Sequence, residues 1–273
     1  MSTRENHFGG GWLGIYVLAY LIFLYLPVAL IPIFSFNDSI QAAFPLKGFT
    51  TEWYQQLVGN DALTGAVMTS LTIGLVAASI ATLCGTTIAY MDTHGASRLA
   101  GIISGIARLP ILIPGVISGI ALLIFANLIG LGPSRTAIVA GHVLAGLPTT
   151  VVVMRGRFVS IPKSIPEVAE DLGAREWLVF WRIMLPLSLP AIGSAFMLAF
   201  LISFDEFIIA FFLTGTEPTL PLYIWTQLRF PKSLPVVMAL GTVILAVSII
   251  IATTAELLRN RGLAGARIKP AIA

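Results

Sequence analysis

The chain has 273 residues, of which 57% are hydrophobic and only 11% charged, with a formal net charge of +3. A soluble domain carries about 25% charged residues, so these few charges cannot cover a water-facing surface. The sequence reads as an all-α polytopic membrane protein whose solvent is lipid. The single cysteine, Cys84, excludes a disulfide framework and a cysteine metal cluster. Its apolar neighbours in sequence give it the role of a small buried hydrophobe.

A spanning helix needs about 20 mostly apolar residues. Six segments qualify: Trp12–Phe36, Ala62–Tyr90, Ile111–Leu131, Ala137–Met154, Pro190–Leu213 and Leu234–Leu258. Arg4 precedes the first, but its apolar run is too long for a signal peptide and no A-x-A site follows, so it is read as a retained span. Next, Phe49–Asn60 reads as a short amphipathic helix with a Thr start and a Gly59 stop, its Trp53 and Tyr54 serving as belt aromatics. In the third span Pro110 and Pro114 stand four residues apart and predict a kink. His142, inside span four, is expected to pair with a polar neighbour. Gly215–Pro235 contains four prolines and is read as an ordered loop without helix.

Basic residues orient the spans. With the N-terminus inside, Arg4, Arg98, Arg108, Arg155, Arg157, Lys163, Arg175, Arg182, Arg259, Arg261, Arg267 and Lys269 face the cytoplasm. Only Lys47, Arg135, Arg229 and Lys232 face outward. That asymmetry places both termini in the cytoplasm. No G-x-x-x-x-G-K-[ST] or H-E-x-x-H occurs, and His7, His94 and His142 lie far apart in sequence. The chain therefore carries neither a P-loop nor a visible metal or acid–base constellation, and no repeat or internal domain boundary is evident.

One charged stretch interrupts the apolar sequence, from Glu167 to Pro186, on the cytoplasmic side between spans four and five. Ser164 with Glu167 forms an S-x-x-E capping box, Pro166 sits in the first turn, and Gly173 ends the helix. A second helix is expected from about Ala174, with Trp177, Phe180, Trp181 and Met184 on its apolar side. Pro186 and Pro190 bracket the start of span five.

Glu167-Val168-Ala169, three residues, Gly173, nine residues and Ile183-Met184-Leu185-Pro186 form a pattern. It resembles the signature loop of ABC-importer membrane subunits: E-A-A, x3, G, x9, I-x-L-P. Val168 replaces the second alanine and keeps a small apolar side chain. The resemblance implies a type I ABC-importer permease, a single domain over 1–273 with a cytoplasmic coupling loop at about 155–189. Its short coupling helix docks in a cleft of the ATP-hydrolysing subunit. Glu167, Ala169, Glu170, Asp171, Gly173 and Arg175 are then the coupling residues, the carboxylates facing basic groups on the partner.

The same resemblance implies the partners. They are a second homologous permease, two ATP-binding subunits, an extracytoplasmic (periplasmic) solute-binding protein and the lipid of a bacterial inner membrane; no nucleic acid is implied. This chain is not the enzyme and holds no cofactor, since ATP and Mg are bound by the partner ATPase.

SFNDS after span one, TEWYQQLVGN, TSLTIG in span two, SFDEFIIAFFLTG in span five and LPLYIW with ALGT near span six resemble the spermidine/putrescine branch of these permeases. Asp205 and Glu206 lie about two-thirds along span five. An acid there costs on the order of 3 kcal/mol to insert and usually faces a bundle interior or an aqueous path. Glu206 extends a stripe of Ala191, Ala195, Ala199, Ser203 and Ala210, while Asp205 lies about 100° around the helix. Ser203, Phe204, Asp205 and Glu206 are thus the candidate pathway residues for a small cationic solute, with Phe204 and Trp225 available for cation–π contacts. Alternatively, the acids pair with His142, with Asn127 or with a basic group on the partner. Rival functions are an importer of an opine or amino-acid derivative, and a self-sufficient secondary transporter with inverted repeats.

Overall fold

The computed structural model describes residues 10–95 and 97–265, with side chains from 12 to 250 and at 253. Arg4, His7, Arg267 and Lys269 lie outside the described residues. The described residues are helical; an isolated bridge between Asn37 and Phe49 is the sole β pairing among them.

Helices α1 (Gly10–Ser35), α3 (Asp61–His94), α6 (Arg135–Ser160), the run Glu176–Asp205 and the segment Pro231–Ile250 are long and apolar enough to cross a membrane. A sixth span is available if the bent pair Arg98–Leu112 and Gly115–Leu128 counts as one. The third span expected at Ile111–Leu131 is therefore corrected. Helix α4 (Arg98–Arg108) passes into a 3₁₀ turn at Leu109–Leu112, the chain bends by 112°, and α5 begins only at Gly115. Pro110 and Pro114 remove two backbone donors within one turn; Leu109 before the first stays helical, while Ile113 before the second is pushed out of the helical region. Ile113 accordingly takes φ −93°, ψ 125°.

Residue contacts group the chain into two units, one of residues 10–60 and 226–265, the other of 61–225. In the first, α1 packs on α12 (Leu234–Gly265). The loop after α1 is held by Asn37, whose carbonyl accepts the Trp53 Nε1–H at 2.9 Å and whose Oδ1 accepts the Lys47 N–H at 2.9 Å. Ser35 and Tyr54 share a 2.6 Å hydrogen bond. The amphipathic helix expected over Phe49–Asn60 is a single turn, α2 (Glu52–Gln55), although Gly59 does adopt the left-handed φ of +80° expected of a stop. Trp53 acts as a loop anchor through its indole N–H.

The second unit is built on α3, α6 and α9 (Leu185–Asp205). Between helices in lipid there is no hydrophobic driving force, so close backbone approach and dispersion must hold them. The buried row of α3 is accordingly small: Ala66, Ser70, Gly74, Ala77, Ala81, Gly85 and Ala89, spaced three or four residues apart. Gly74 faces the Phe200 ring, Gly146 faces Ala81 and Ala199, and the Thr150 Oγ1 donates across the interface to the Ala81 carbonyl at 2.9 Å. Cys84 is exposed, beside Leu83 on the opposite face. Apolar neighbours in sequence do not mean burial when lipid is the solvent.

At one end of this unit Asp92 joins three helices. Its Oδ2 accepts from Arg155 Nε at 2.8 Å and from Ser104 Oγ at 3.0 Å. At the other end Arg135, at the start of α6, donates to Thr69 Oγ1 and pairs with Glu217. The segment Gly215–Pro235, expected to lack helix, contains α11 (Leu220–Leu228) and a 3₁₀ turn at Pro231–Ser233. Pro221 falls in the first turn of α11, where a missing N–H costs nothing.

The packing predicts a sharp contrast between two glycines. A methyl at position 85 would strike the Thr150 hydroxyl and Cβ, whereas one at position 105 meets nothing within 4 Å. Gly85→Ala should lower the thermal stability of the purified protein by about 1–3 kcal/mol. Gly105→Ala should leave it unchanged or raise it slightly. Equal melting of the two variants in a detergent thermal-shift assay would contradict this packing.

Candidate functional site

Two groups of residues were expected to carry function. The first lies on α7 (Ser164–Asp171). Ser164 is the first helical residue and Lys163 precedes it without a side-chain cap, so the expected capping box does not form. The start is instead a backbone turn, with the Ile165 N–H on Pro162 O at 3.1 Å and the Glu167 N–H on Lys163 O at 3.2 Å. Pro166, whose missing donor is harmless in the first turn, is buried.

The helix closes where expected. Gly173 adopts φ +87°. Its N–H donates to Glu170 O at 2.8 Å, and the Ala174 N–H donates to Ala169 O at 3.0 Å. These two bonds and the left-handed glycine form a Schellman motif, which satisfies the last carbonyls of the helix. A Cβ at position 173 would meet nothing within 4 Å beyond its chain neighbours, so the requirement for glycine is conformational. A side chain there would meet the left-handed penalty of about 1–2 kcal/mol.

Helix α7 has two faces. Ala169 and Ala174 pack against a buried cluster of Ala89, Met154, Phe158, Ile161, Val179, Met184 and Ala195. Glu167, Glu170, Asp171, Leu172 and Arg175 are exposed, and Val168 is 55% exposed among them. The one departure from the signature pattern therefore stands on the open face.

After Gly173 the chain re-enters a helix at once. Helix α8 (Glu176–Val179) continues through a π-helical turn, Phe180–Met184, into α9, giving one rod from Glu176 to Asp205. Pro186 and Pro190 were expected to bracket the start of span five, yet the helix runs through both. The π turn supplies the reason: the Leu185 N–H reaches back to Phe180 O. That wider turn makes room for the Pro186 ring against the carbonyl four residues earlier. Of the apolar residues expected on one side of this helix, Met184 is buried, while Trp177 and Trp181 are exposed and pack against each other at 5.3 Å.

The second group is Ser203, Phe204, Asp205 and Glu206. Ala195, Ala199 and Ser203 form the expected buried stripe of α9. The helix stops at Asp205, however, and resumes as α10 (Ile208–Leu213), so Glu206 does not extend an unbroken rod. Glu206 takes ψ 111°, and its Oε1 accepts the Ile209 N–H at 3.0 Å, capping the second piece. The break follows from packing. Helix α9 is fitted to α3 and α6, while α10 is fitted to α5, where Gly115 and Gly119 receive Ile208 and Phe212. Phe207, at the break, lies against Trp225 at 5.5 Å.

His142 does pair with a polar neighbour, Ser203, through a 2.7 Å hydrogen bond at Nδ1. It does not pair with either acid. Asp205 is exposed and has no hydrogen bond or ion pair among the described residues. Phe204 is half-buried and stacks on Phe200 at 5.6 Å. Sequence reasoning placed Trp177, Phe180 and Trp181 on one side of a helix but missed that Tyr90 of α3 joins them, its ring 4.6 Å from that of Phe180. It also missed Thr82 and Thr86, buried with unpartnered hydroxyls. Their spacing of four along an apolar span was a readable signal.

Residues 81–264 match the family described as binding-protein-dependent transport system inner membrane component. Among similar proteins, the spermidine/putrescine transport system permease protein PotC of Escherichia coli (strain K12) is 31% identical, over 90% of this chain and 92% of that protein. The putrescine transport system permease protein PotI of the same organism is 35% identical, over 86% of this chain and 85% of that protein. A chain from the crystal structure of a bacterial ABC transporter that imports the acidic polysaccharide alginate superposes with a TM-score of 0.72 at 16% identity, covering 94% of this chain and 98% of that one. The chain belongs to the binding-protein-dependent transport system inner membrane component family and has the fold of an ABC-importer permease. It is a transport component of an inner membrane.

The buried pair makes a prediction. Ser203→Ala leaves the His142 Nδ1 without its partner, and an unsatisfied buried polar group costs about 1–3 kcal/mol. The variant should melt earlier than the parent in detergent, whereas Glu206→Gln, which keeps an oxygen to accept the Ile209 N–H, should melt with the parent. Unchanged melting of Ser203→Ala would contradict the pairing.

Proposed function

We propose that this chain forms part of the translocation pathway of an ATP-driven importer for a small organic cation of the polyamine class, and that α7 is its coupling helix. The observation that carries the reading is the construction of α7. Its inner face packs on the same cluster as three spans, and its outer face offers Glu167, Glu170 and Asp171. A short helix fixed in this way moves with the spans as one body. The ATP-binding subunits supply hydrolysis, with ATP and Mg bound there; this chain supplies the path. The complete complex holds two such subunits, a second homologous permease and a solute-binding protein outside the membrane. One structural neighbour is itself described in complex with a substrate-bound periplasmic protein. Both termini and α7 lie in the cytoplasm, in keeping with the distribution of basic residues.

The substrate class is supported by the names of the relatives and by the break in span five. There Asp205 has no protein partner among the described residues, and Glu206 stands beside aromatic Phe204 and Phe207. A cation passing this point meets carboxylate and aromatic faces together.

Two experiments test the parts separately. Glu167→Lys or Gly173→Arg should abolish co-purification of the ATP-binding subunit while the permease still inserts and extracts normally. Retained co-purification and uptake would overturn the coupling assignment. For the pathway, ATPase activity of the reconstituted complex with its solute-binding protein should be stimulated by putrescine or spermidine. That stimulation should fall by about tenfold or more in Asp205→Asn or Glu206→Gln, if the lost charge contributes about 1.4 kcal/mol to the passing cation. Stimulation by an uncharged or anionic solute would keep the importer and discard the cation reading.

A further inference from the structure

A groove of about 1040 Å³ lies between α3 and the rod formed by α8 and α9, within a single unit of the chain. Its α3 side runs from Ser79 to Met91, about 18 Å at helical rise. Its opposite wall is apolar, with Leu189, Ile192 and Phe196. A purely apolar groove would need only lipid or another helix to fill it. Two features of this one ask for something else.

The first is a pair of hydroxyls. Thr82 and Thr86 are each 6% exposed, line the groove and lack a hydrogen-bond partner for Oγ1. A threonine in a helix ordinarily returns its hydroxyl to a carbonyl of the preceding turn. Ser79 and Thr87 do so here, on Leu75 O at 2.7 Å and Leu83 O at 2.9 Å. Thr82 and Thr86 do not, and an unmade bond at a buried hydroxyl is costly unless a ligand completes it.

The second feature is the charged end. Glu176 is the one formally charged residue among the lining, which holds no lysine, arginine or histidine; Arg175, its neighbour in sequence, lies outside the lining, as does His94, stacked on Tyr90 at 4.8 Å. It has no hydrogen bond or ion pair among the described residues. Around it stand Tyr90, Trp177 and Trp181, which with Phe180 form a continuous set of ring contacts at 4.6 to 6.3 Å. A carboxylate among aromatic faces is a site for an ammonium group.

We infer that this groove binds a linear aliphatic di- or polyamine, one ammonium at Glu176 among the rings and a second amino group at the Thr82 and Thr86 hydroxyls. The methylene chain between them lies on the apolar wall. The inference rests on the polyamine reading given above and extends it to residues distant from Asp205 and Glu206. Chemically the site suits a carrier better than a trap. One carboxylate and neutral hydroxyls hold a cation weakly enough for release, and Glu176 lies three residues beyond the Gly173 turn that closes α7.

The test uses the complete importer with Cys84→Ser to remove the background thiol and Leu83→Cys as reporter, since Leu83 lines the groove, is 70% exposed and supplies no polar contact to the amine. Modification of the reporter thiol by a soluble maleimide is timed without nucleotide, with spermidine or with sucrose as the uncharged control. At a spermidine concentration about ten times half-saturation, mass action predicts protection of about tenfold. Sucrose should give none, and Glu176→Gln should shift the half-protecting concentration upward. Failure of the maleimide to react at all would mean that protein or lipid fills the groove, and would overturn the site. Equal rates with and without spermidine, in a complex whose ATPase spermidine stimulates, would overturn the site alone. A complex that no polyamine stimulates would refute the substrate reading and the groove assignment with it.

Discussion

Phe158 is the contact on which the functional half of the molecule depends. It is 1% exposed and stands in one cluster with Met154 from its own helix, Ala89 from α3, and Val179, Met184 and Ala195 from the rod after Gly173. Along the middle of α3 the spans meet through alanine, glycine and hydroxyl residues, as expected where lipid gives no preference for burial, and a second bulky cluster of Ile73, Ile138, Ile209 and Leu213 lies apart from this one. At this end the packing is made by bulky side chains, and truncating one such phenylalanine typically costs about 3–5 kcal/mol. The cluster extends to Ala169 and Ala174, so a loop between two spans becomes part of the bundle. Without that packing, the charged face of α7 would be presented by a tether and could transmit no force.

From this anchor the chain reads as a lever. Helix α7 ends in a fixed Schellman turn, and the rod from Glu176 to Asp205 follows, 30 residues or about 45 Å long. It passes two prolines without breaking, and a π turn makes room for the first. It ends where Ser203 holds His142 and where Glu206 caps the next piece. The surface that offers carboxylates and the break that exposes Asp205 are therefore opposite ends of one rigid element. The groove with Thr82, Thr86 and Glu176 lies along the same rod. Motion at α7 has a direct mechanical route to both.

Much of this was legible in the sequence, for identifiable reasons. Hydropathy located the spans, because length and apolarity are all that a lipid environment demands. Gly173 marked the end of α7, because a left-handed residue there admits little else. The stripe Ala195, Ala199, Ser203 predicted a buried face. The failures have a common cause: local rules were overruled by what the residues pack against. The S-x-x-E pattern did not become a cap, because the backbone turn at Pro162 and Lys163 already supplies the start. Pro186 and Pro190 did not interrupt the helix; the π turn upstream accommodates the first, and Pro190 lies inside α9. Nothing in SFDEF forecasts a break. That break arises because α9 and α10 are fitted to different neighbours, and only then does Glu206 find a backbone N–H to cap. Thr82 and Thr86 shared a face by their spacing of four, which the sequence displays, but the partner their hydroxyls lack is visible only in the fold.

The central claim is that the exposed face of α7 meets the ATP-binding subunit while its inner face is held by the bundle. A photoreactive benzoylphenylalanine at Leu172, which is 84% exposed beside the Gly173 turn, would test it in the assembled importer. The account predicts that illumination joins this chain to the ATP-binding subunit, and that the same group at Ile102 of α4 does not. Adducts confined to lipid or to the second permease from position 172 would contradict it.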